Sequence, residues 1–132
     1  MKKVLLDTDV IVDFLRNGID DEGVFQGVKE KTIQACISVI TMFELYNGAL
    51  LSNNPKQKLE DLAKLLEVFH VISFDKAQSY VASKSYAYLV KKGYSLEMRD
   101  ILIAACAIAN NLRLLTRNKK HFARIPELVF FE

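Results

Sequence analysis

The sequence predicts an α/β sandwich: a mostly parallel central sheet covered by helices on both faces. Two observations carry this. Short β-prone runs alternate with segments of helical period from one end of the chain to the other. One of those segments, Asp100 to Ala109, is apolar on every side and has to be central. With 132 residues, five Gly, two Pro and no low-complexity tract, residues 1–132 read as a single folded domain rather than a disordered chain.

The elements come in order. Val4-Leu5-Leu6 is a short apolar strand, and Thr8 to Asn17 repeats apolar residues at helical spacing until Gly18 stops it. A second amphipathic stretch runs from Asp20 to Lys31. Ile33 to Ser38 is β-prone and leads into a helical pattern from Val39 to Leu51. Ser52-Asn53-Asn54-Pro55 is the clearest break in the chain. Beyond it lie a charged amphipathic helix, Lys56 to Phe69, and a strand, His70 to Phe74. Asp75 is placed to cap a helix that ends at Lys92 before Gly93. Ser95 can cap the next helix, Leu96 to Asn110. A strand from Leu112 to Thr116, at most one helical turn from Lys119 to Phe122, and a last strand from Leu128 to Phe131 complete the chain.

Composition excludes several classes. The longest uninterrupted apolar run, Ile101 to Ala109, is far short of the roughly 20 residues a bilayer span requires, so no membrane role is expected. The start, Met1-Lys2-Lys3-Val4-Leu5-Leu6, imitates the basic region of a signal peptide, but Asp7 and Asp9 interrupt it at once. Cys36 and Cys106 lie in apolar runs without CxxC spacing or a neighbouring His, as small buried hydrophobes do in a reducing, cytoplasmic setting. Hydrophobic residues make up 51% of the chain, more than a lone small domain needs, which implies an oligomer or a bound partner.

Parallel sheets place ligands at the carboxyl ends of their strands, and acids cluster in such positions here. Asp7 directly follows the first strand; capping the next helix is its simplest alternative role. Glu44 stands in Ser38-Val39-Ile40-Thr41-Met42-Phe43-Glu44. Thr41-x-x-Glu44 fits a capping box, yet Glu44 shares a helix face with Ile40, Gly48 and Leu51 and needs a cation to meet it. Asp100 opens the buried helix, with Glu97 and Arg99 just before it to supply an ion pair or a dipole interaction. Thr116-Arg117-Asn118 and His121 come after another strand; separately they are ordinary turn residues and a solvated histidine.

Three acids converging on one sheet edge repel one another unless a cation neutralises them. Carboxylates without Cys or paired His suit Mg²⁺ or Mn²⁺ rather than Zn²⁺. A second charge pattern lies beside them. Between Arg113 and Arg124 there are five Lys or Arg and no acid, which places a basic rim near the proposed centre although the net charge is only +2.

At these residues the chain resembles the PIN-domain ribonucleases of the VapC toxin type. The likeness rests on Leu5-Leu6-Asp7-Thr8-Asp9-Val10, Ile37-Ser38-Val39-Ile40-Thr41-Met42-Phe43-Glu44-Leu45, Arg99-Asp100-Ile101-Leu102-Ile103-Ala104-Ala105 and Leu115-Thr116-Arg117-Asn118-Lys119-Lys120-His121-Phe122. These four stretches occur in register and span nearly the whole chain. The resemblance implies a single PIN-like nuclease domain over residues 1–132, folded as an α/β/α sandwich. It implies a metal-dependent endoribonuclease that hydrolyses RNA phosphodiester bonds with a metal-activated water. It also implies a homodimer inhibited by a VapB-type antitoxin from the same operon.

The family's acidic quartet maps onto Asp7, Glu44 and Asp100 as catalytic and metal-binding residues, with Mg²⁺ or Mn²⁺ as cofactor. The fourth position is Asn118, which removes one negative charge and argues against a tightly held second metal. Thr8, Asp9, Thr116 and Asn118 would then orient ligands and waters. Arg117, Lys119 and Lys120 would hold RNA phosphates, with Arg16 and Arg99 as further candidates. The dimer face and antitoxin groove are expected on the helices Asp20 to Lys31 and Lys56 to Phe69.

Two other readings compete. Leu5-Leu6-Asp7-Thr8-Asp9-Val10 also looks like the nucleophile strand of haloacid-dehalogenase-type phosphatases, which need in addition a downstream Lys and an acidic pair after a later strand. Asn118 motivates the other reading, a catalytically weak RNA- or partner-binding PIN module.

Overall fold

The computed structural model describes residues 1–95 and 97–132. Among the described residues, the elements are β1 (Lys2–Leu6), α1 (Thr8–Asn17), α2 (Val24–Lys29), β2 (Ile33–Ser38), α3 (Val39–Leu50), α4 (Pro55–Leu66), β3 (His70–Ile72), α5 (Lys76–Lys91), α6 (Met98–Ala109), β4 (Arg113–Leu115) and α7 (Lys119–Phe122). The strands form one sheet in the order β3-β2-β1-β4, with every pairing parallel.

Side-chain alternation along the strands builds the layers. Leu5 of β1 and Cys36 of β2 face a core completed by α5, α6 and Phe122. Val4, Leu6, Ala35 and Ile37 face the opposite core, against Val10 and Ile11 of α1, Leu45 of α3 and Leu62 of α4. The result is the expected α/β/α sandwich. Helix α6 is central as predicted, with Ile101, Ile103 and the run Ala104 to Ala107 buried.

Topology then selects one end of the sheet. From β1 the chain steps outward through β2 and β3, and afterwards returns to the other side of β1 as β4. The order reverses at β1, and the crevice this opens lies at the carboxyl ends of β1 and β4. Asp7 comes after β1 there and Thr116 after β4; the Asp7 N–H donates to the Leu115 carbonyl at 2.9 Å.

Several local expectations are corrected. The stretch Asp20 to Lys31 is helical only over Val24–Lys29, because the Asp20 carboxylate instead accepts from the Phe25 and Gln26 N–H groups at 3.0 and 2.9 Å and caps α2 from outside. The capping box of Thr41 and Glu44 does not form. Ser38 is the cap of α3, accepting from the Thr41 N–H at 3.1 Å, and the Glu44 side chain points elsewhere. Glu97, rather than Ser95, is the residue before α6; Leu96, the first residue expected of that helix, lies outside the described residues.

The last strand is reduced to one parallel bridge between Leu114 and Phe130, after Glu127 in the left-handed region at φ 69°. The other boundaries hold within a few residues, Asp75 and Gly18 cap and close their helices as expected, and Asn54 caps α4. The accessible surface is 8072 Å², against about 7,000 Å² for a lone domain of this mass. Phe43, Leu50, Leu51, Tyr80 and Met98 are among the large apolar side chains left exposed.

Candidate active site

Asp7 leaves β1 in an extended conformation and caps α1, its Oδ1 accepting from the Thr8 N–H at 2.8 Å. The capping role and the position at the sheet edge are thus compatible. Only 1% of Asp7 is exposed. Its Oδ2 accepts from the Thr116 hydroxyl at 2.8 Å, and the Thr116 hydroxyl oxygen accepts in turn from the Asn118 N–H at 3.0 Å. The turn after β4 therefore fixes the acid after β1.

The cation that Glu44 requires is Arg99. Its Nε donates to Glu44 Oε2 at 2.9 Å and its Nη2 to Glu44 Oε1 at 2.8 Å. Nη2 also donates to Asp7 Oδ1 at 2.8 Å, and Nη1 to Asp100 Oδ1 at 2.7 Å. One guanidinium thus compensates acids that come after β1, lie on α3 and open α6. The Thr8 hydroxyl adds a bond to Glu44 Oε1 at 2.6 Å.

The acids respond differently to this arrangement. Burial pushes Glu44 up, but the hydrogen bonds from Arg99 and Thr8 outweigh it and hold the carboxyl below its usual range. Burial raises Asp100 in spite of the opposing Arg99 contact. Burial also raises Asp9, and the negative charge of Asp7 reinforces it. Arg99 is held well above its ordinary value by the Glu44 bonds first, then by Asp7, so it stays charged.

Asp9 and the turn after β4 form a neighbouring contact set. Asp9 Oδ2 accepts from the Arg117 N–H at 3.1 Å and the Asn118 side-chain amide at 3.0 Å. Its Oδ1 is buried without a hydrogen-bond partner.

The basic rim divides. Arg117 donates to Asp13 at 3.3 Å and Glu22 at 2.8 Å, so its charge is already matched by acids. Lys119 reaches Glu132 at 3.5 Å and sits over the Phe130 ring. Lys120 lines a cleft of about 320 Å³ with Asp100, Glu97, His121 and Arg124. His121 Nδ1 lies 3.8 Å from Asp100 Oδ2. Arg16 does not line that cleft and borders a second groove of about 160 Å³ between α1, α3 and α4, with Glu44 in its wall.

In the sequence Arg99 stands out only as an ion-pair partner for Asp100 or a phosphate contact, and Arg124 only as one member of the basic run Arg113 to Arg124. The demand of Glu44 for a cation is the usable signal for Arg99. Nothing in the sequence identifies which cation answers it.

Comparisons with known proteins show the family and the fold. A family model described as PIN domain matches residues 4–128. The chain is 32% identical over 125 residues to ribonuclease VapC1 of Methanocaldococcus jannaschii, covering 95% of this chain and 82% of that protein. It is 29% identical over 126 residues to the tRNA(fMet)-specific endonuclease VapC of Salmonella typhimurium, covering 96% and 94%. Among solved structures, VapBC2 of Rickettsia felis bound to a promoter DNA fragment superposes with a TM-score of 0.88 at 29% identity, over 98% of this chain and 97% of that one. DNA-bound VapBC of Salmonella typhimurium gives the same TM-score at 27% identity, over 99% and 98%.

Proposed function

The chain belongs to the PIN-domain family, among its VapC-type ribonucleases of toxin–antitoxin systems, and from that premise we propose that it is a divalent-metal-dependent endoribonuclease working at Asp7, Glu44 and Asp100. The observation that carries the reading is the meeting of these acids around one cation at the switch point of the sheet.

Arg99 governs how this donor set could take a metal. Among the described residues, no three Asp, Glu, His or Cys side chains stand close enough together to hold an ion, because the Arg99 guanidinium stands between the carboxylates. The chemistry nevertheless fits. The donors are all carboxylate oxygens, Asp7 and Asp100 are buried, and Arg99 is a long side chain still 30% exposed that can turn outward. Asp7 and Asp100, with Glu44, would hold Mg²⁺ or Mn²⁺ once Arg99 withdraws. When bound, such a cation supplies Lewis acidity, offsetting charge on the phosphate and making water a better nucleophile at neutral pH.

The protein's own residues do the rest. Thr116 and the Thr8 N–H fix the Asp7 carboxylate, while Thr8 also orients Glu44. Asn118 and the Arg117 N–H hold Asp9 beside them. Lys120 and Arg124 offer positive charge, and His121 hydrogen bonds, in the cleft that Asp100 also lines, where a phosphate of the RNA would lie. The withdrawn Arg99 would be free to join them.

The partnership accords with the same family: a VapB-type antitoxin and a second copy of the chain, in the cytoplasm, where two buried unpaired cysteines stay reduced. The groove between α1, α3 and α4 supports antitoxin docking. Val12, Leu15, Leu45 and Leu62 line it, and Glu44 stands in its wall, so an occupant would border the acids. Lys58, Asp61 and Leu62 of α4 line this groove, and α2 does not border it.

The phosphatase alternative is not supported. After β4 the chain supplies Thr116, Arg117 and Asn118 rather than an acidic pair, and both Asp7 oxygens are engaged by donors. The decisive experiment is cleavage of total cellular RNA with Mg²⁺ or Mn²⁺. Chelation or Asp7→Asn abolishes cleavage while far-UV circular dichroism is unchanged; undiminished cleavage by the Asp7→Asn protein refutes the assignment.

A further inference from the structure

We propose that the outer face of α5 is a track for a single RNA strand leading to the cleft beside Asp100; this rests on the ribonuclease reading above. Lys76, Tyr80, Lys84, Tyr88 and Lys92 recur at four-residue intervals, and all are exposed. A row at that spacing winds slowly around a helix, and 1.5 Å per residue separates the two tyrosines by about 12 Å. Lys84 Nζ stands 5.8 Å from the Tyr80 ring centroid, and Lys92 Nζ stands 5.7 Å from that of Tyr88.

The core does not require these rings. Helix α5 is anchored by Gln78, Ala82, Ser85 and Leu89 on its other side, and Tyr80 is 68% exposed. A helix face that only needs solvation usually mixes both signs of charge. Here the sequence from Lys76 to Leu96 contains no acid. Alternating π-faces and ammonium groups match the alternating bases and phosphates of a single strand, where aromatic rings stack on bases and cations track the backbone. A second copy of the chain is a poorer occupant, because a two-fold contact through this face would set lysines against lysines.

The track is continuous with the site. Gly93 adopts a left-handed φ of 77°, and the Tyr94 N–H returns to the Leu89 carbonyl at 3.0 Å. That closure of α5 sets the Tyr94 ring under the Arg124 guanidinium, 4.3 Å from its centroid. Arg124 lines the cleft that also holds Asp100, and α5 packs against α6, whose first turn carries Asp100. A strand entering over Tyr80 and Tyr88 would pass Tyr94 before reaching the acids.

The test uses the full chain carrying Asp7→Asn, so that RNA is held uncleaved, and fluorescein-labelled oligo(U) monitored by anisotropy. Tyr80→Ala and Tyr88→Ala each weaken binding about tenfold, whereas Tyr80→Phe and Tyr88→Phe retain it, since stacking needs the ring and not the hydroxyl. Changing Lys84 and Lys92 together to Gln lowers the slope of log affinity against log salt by about 1.4, at roughly 0.7 per phosphate of a single strand. Unchanged affinity in the alanine variants, or no binding of oligo(U) at all, overturns the track. So does a fall from dimer to monomer in sedimentation of the alanine variants, which would make the face an interface between copies. RNA cleavage by the chain with native Asp7 is scored separately, so failure of the ribonuclease reading is distinguishable from failure of the track.

Discussion

Arg99 grips Glu44 side-on, with Nε to Oε2 at 2.9 Å and Nη2 to Oε1 at 2.8 Å, and so ties α6 on one face of the sheet to α3 on the other. The same guanidinium reaches Asp7 and Asp100. It therefore occupies the place in the charge balance that a divalent cation would take. Arg99→Gln is expected to tighten Mn²⁺ binding by about tenfold or more, one tenfold step corresponding to about 1.4 kcal/mol of relieved competition. In chelator the variant loses about 1–3 kcal/mol of stability, less than for a fully buried pair because Arg99 is partly exposed. Electron paramagnetic resonance titration with Mn²⁺ and urea unfolding check the two halves; unchanged Mn²⁺ affinity would show that guanidinium and metal do not share the site.

Thr116 is the hinge of the hydrogen-bond chain behind Asp7. Its hydroxyl donates to Asp7 Oδ2 and accepts from the Asn118 N–H, at 2.8 and 3.0 Å, and the residue is 5% exposed. Thr116→Val keeps the shape and leaves both partners unmatched, which costs about 1–3 kcal/mol. Cleavage is expected to fall about 10- to 100-fold through loss of carboxylate orientation. Thr116→Ser restores both bonds, so recovery in that variant separates a hydrogen-bonding role from a packing one.

Asn118 matters through Asp9. Its side-chain amide donates to Asp9 Oδ2 at 3.0 Å, beside a carboxyl whose other oxygen is buried without a partner. Asn118→Asp replaces that donor with a second acceptor and sets two carboxylates against each other. The variant is expected to lose about 1 kcal/mol or more of stability in chelator and to regain it with Mn²⁺, which neutralises the pair. Thermal melts with and without the ion decide this; equal melts would mean that the fourth acidic position has no electrostatic link to the centre.

Much of this architecture is legible in the sequence because it depends on periodicity and on strand ends. Val4 to Leu6, the cap at Asp75 and the all-apolar α6 are local signals, and Asp7 and Asp100 can be placed by their positions after a strand and at the start of a buried helix. The capping-box expectation for Glu44 fails because Ser38 lies at the end of β2 and starts the helix three residues earlier, leaving Glu44 free for Arg99. The Asp20 helix start fails because its carboxylate reaches forward over a loop to cap Phe25 and Gln26. Arg117 shows the general difficulty: its partners Asp13 and Glu22 lie far away in sequence, and only the packing of the turn after β4 against α1 brings them together.

The cysteines yield a prediction in which pH enters with a definite sign. Cys106 is wholly buried within α6; burial, then the charges of Cys36 and Asp75, push its thiol up to about 12 from an ordinary 9.0. Burial also raises Cys36. A thiol whose folded value is raised contributes stability that is fully present below the unfolded value and is lost as pH rises through the folded one. For Cys106 the loss develops between 9.0 and about 12, at about 1.4 kcal/mol per pH unit. Both thiols should therefore resist an aromatic disulfide reagent in the folded protein at about pH 8 and react on unfolding. The difference between the native chain and Cys106→Ala isolates the effect of this one thiol. That difference in urea stability should shrink by roughly 1–2 kcal/mol between about pH 9 and pH 10.5. A pH-independent difference would show that the Cys106 thiol ionises as readily folded as unfolded.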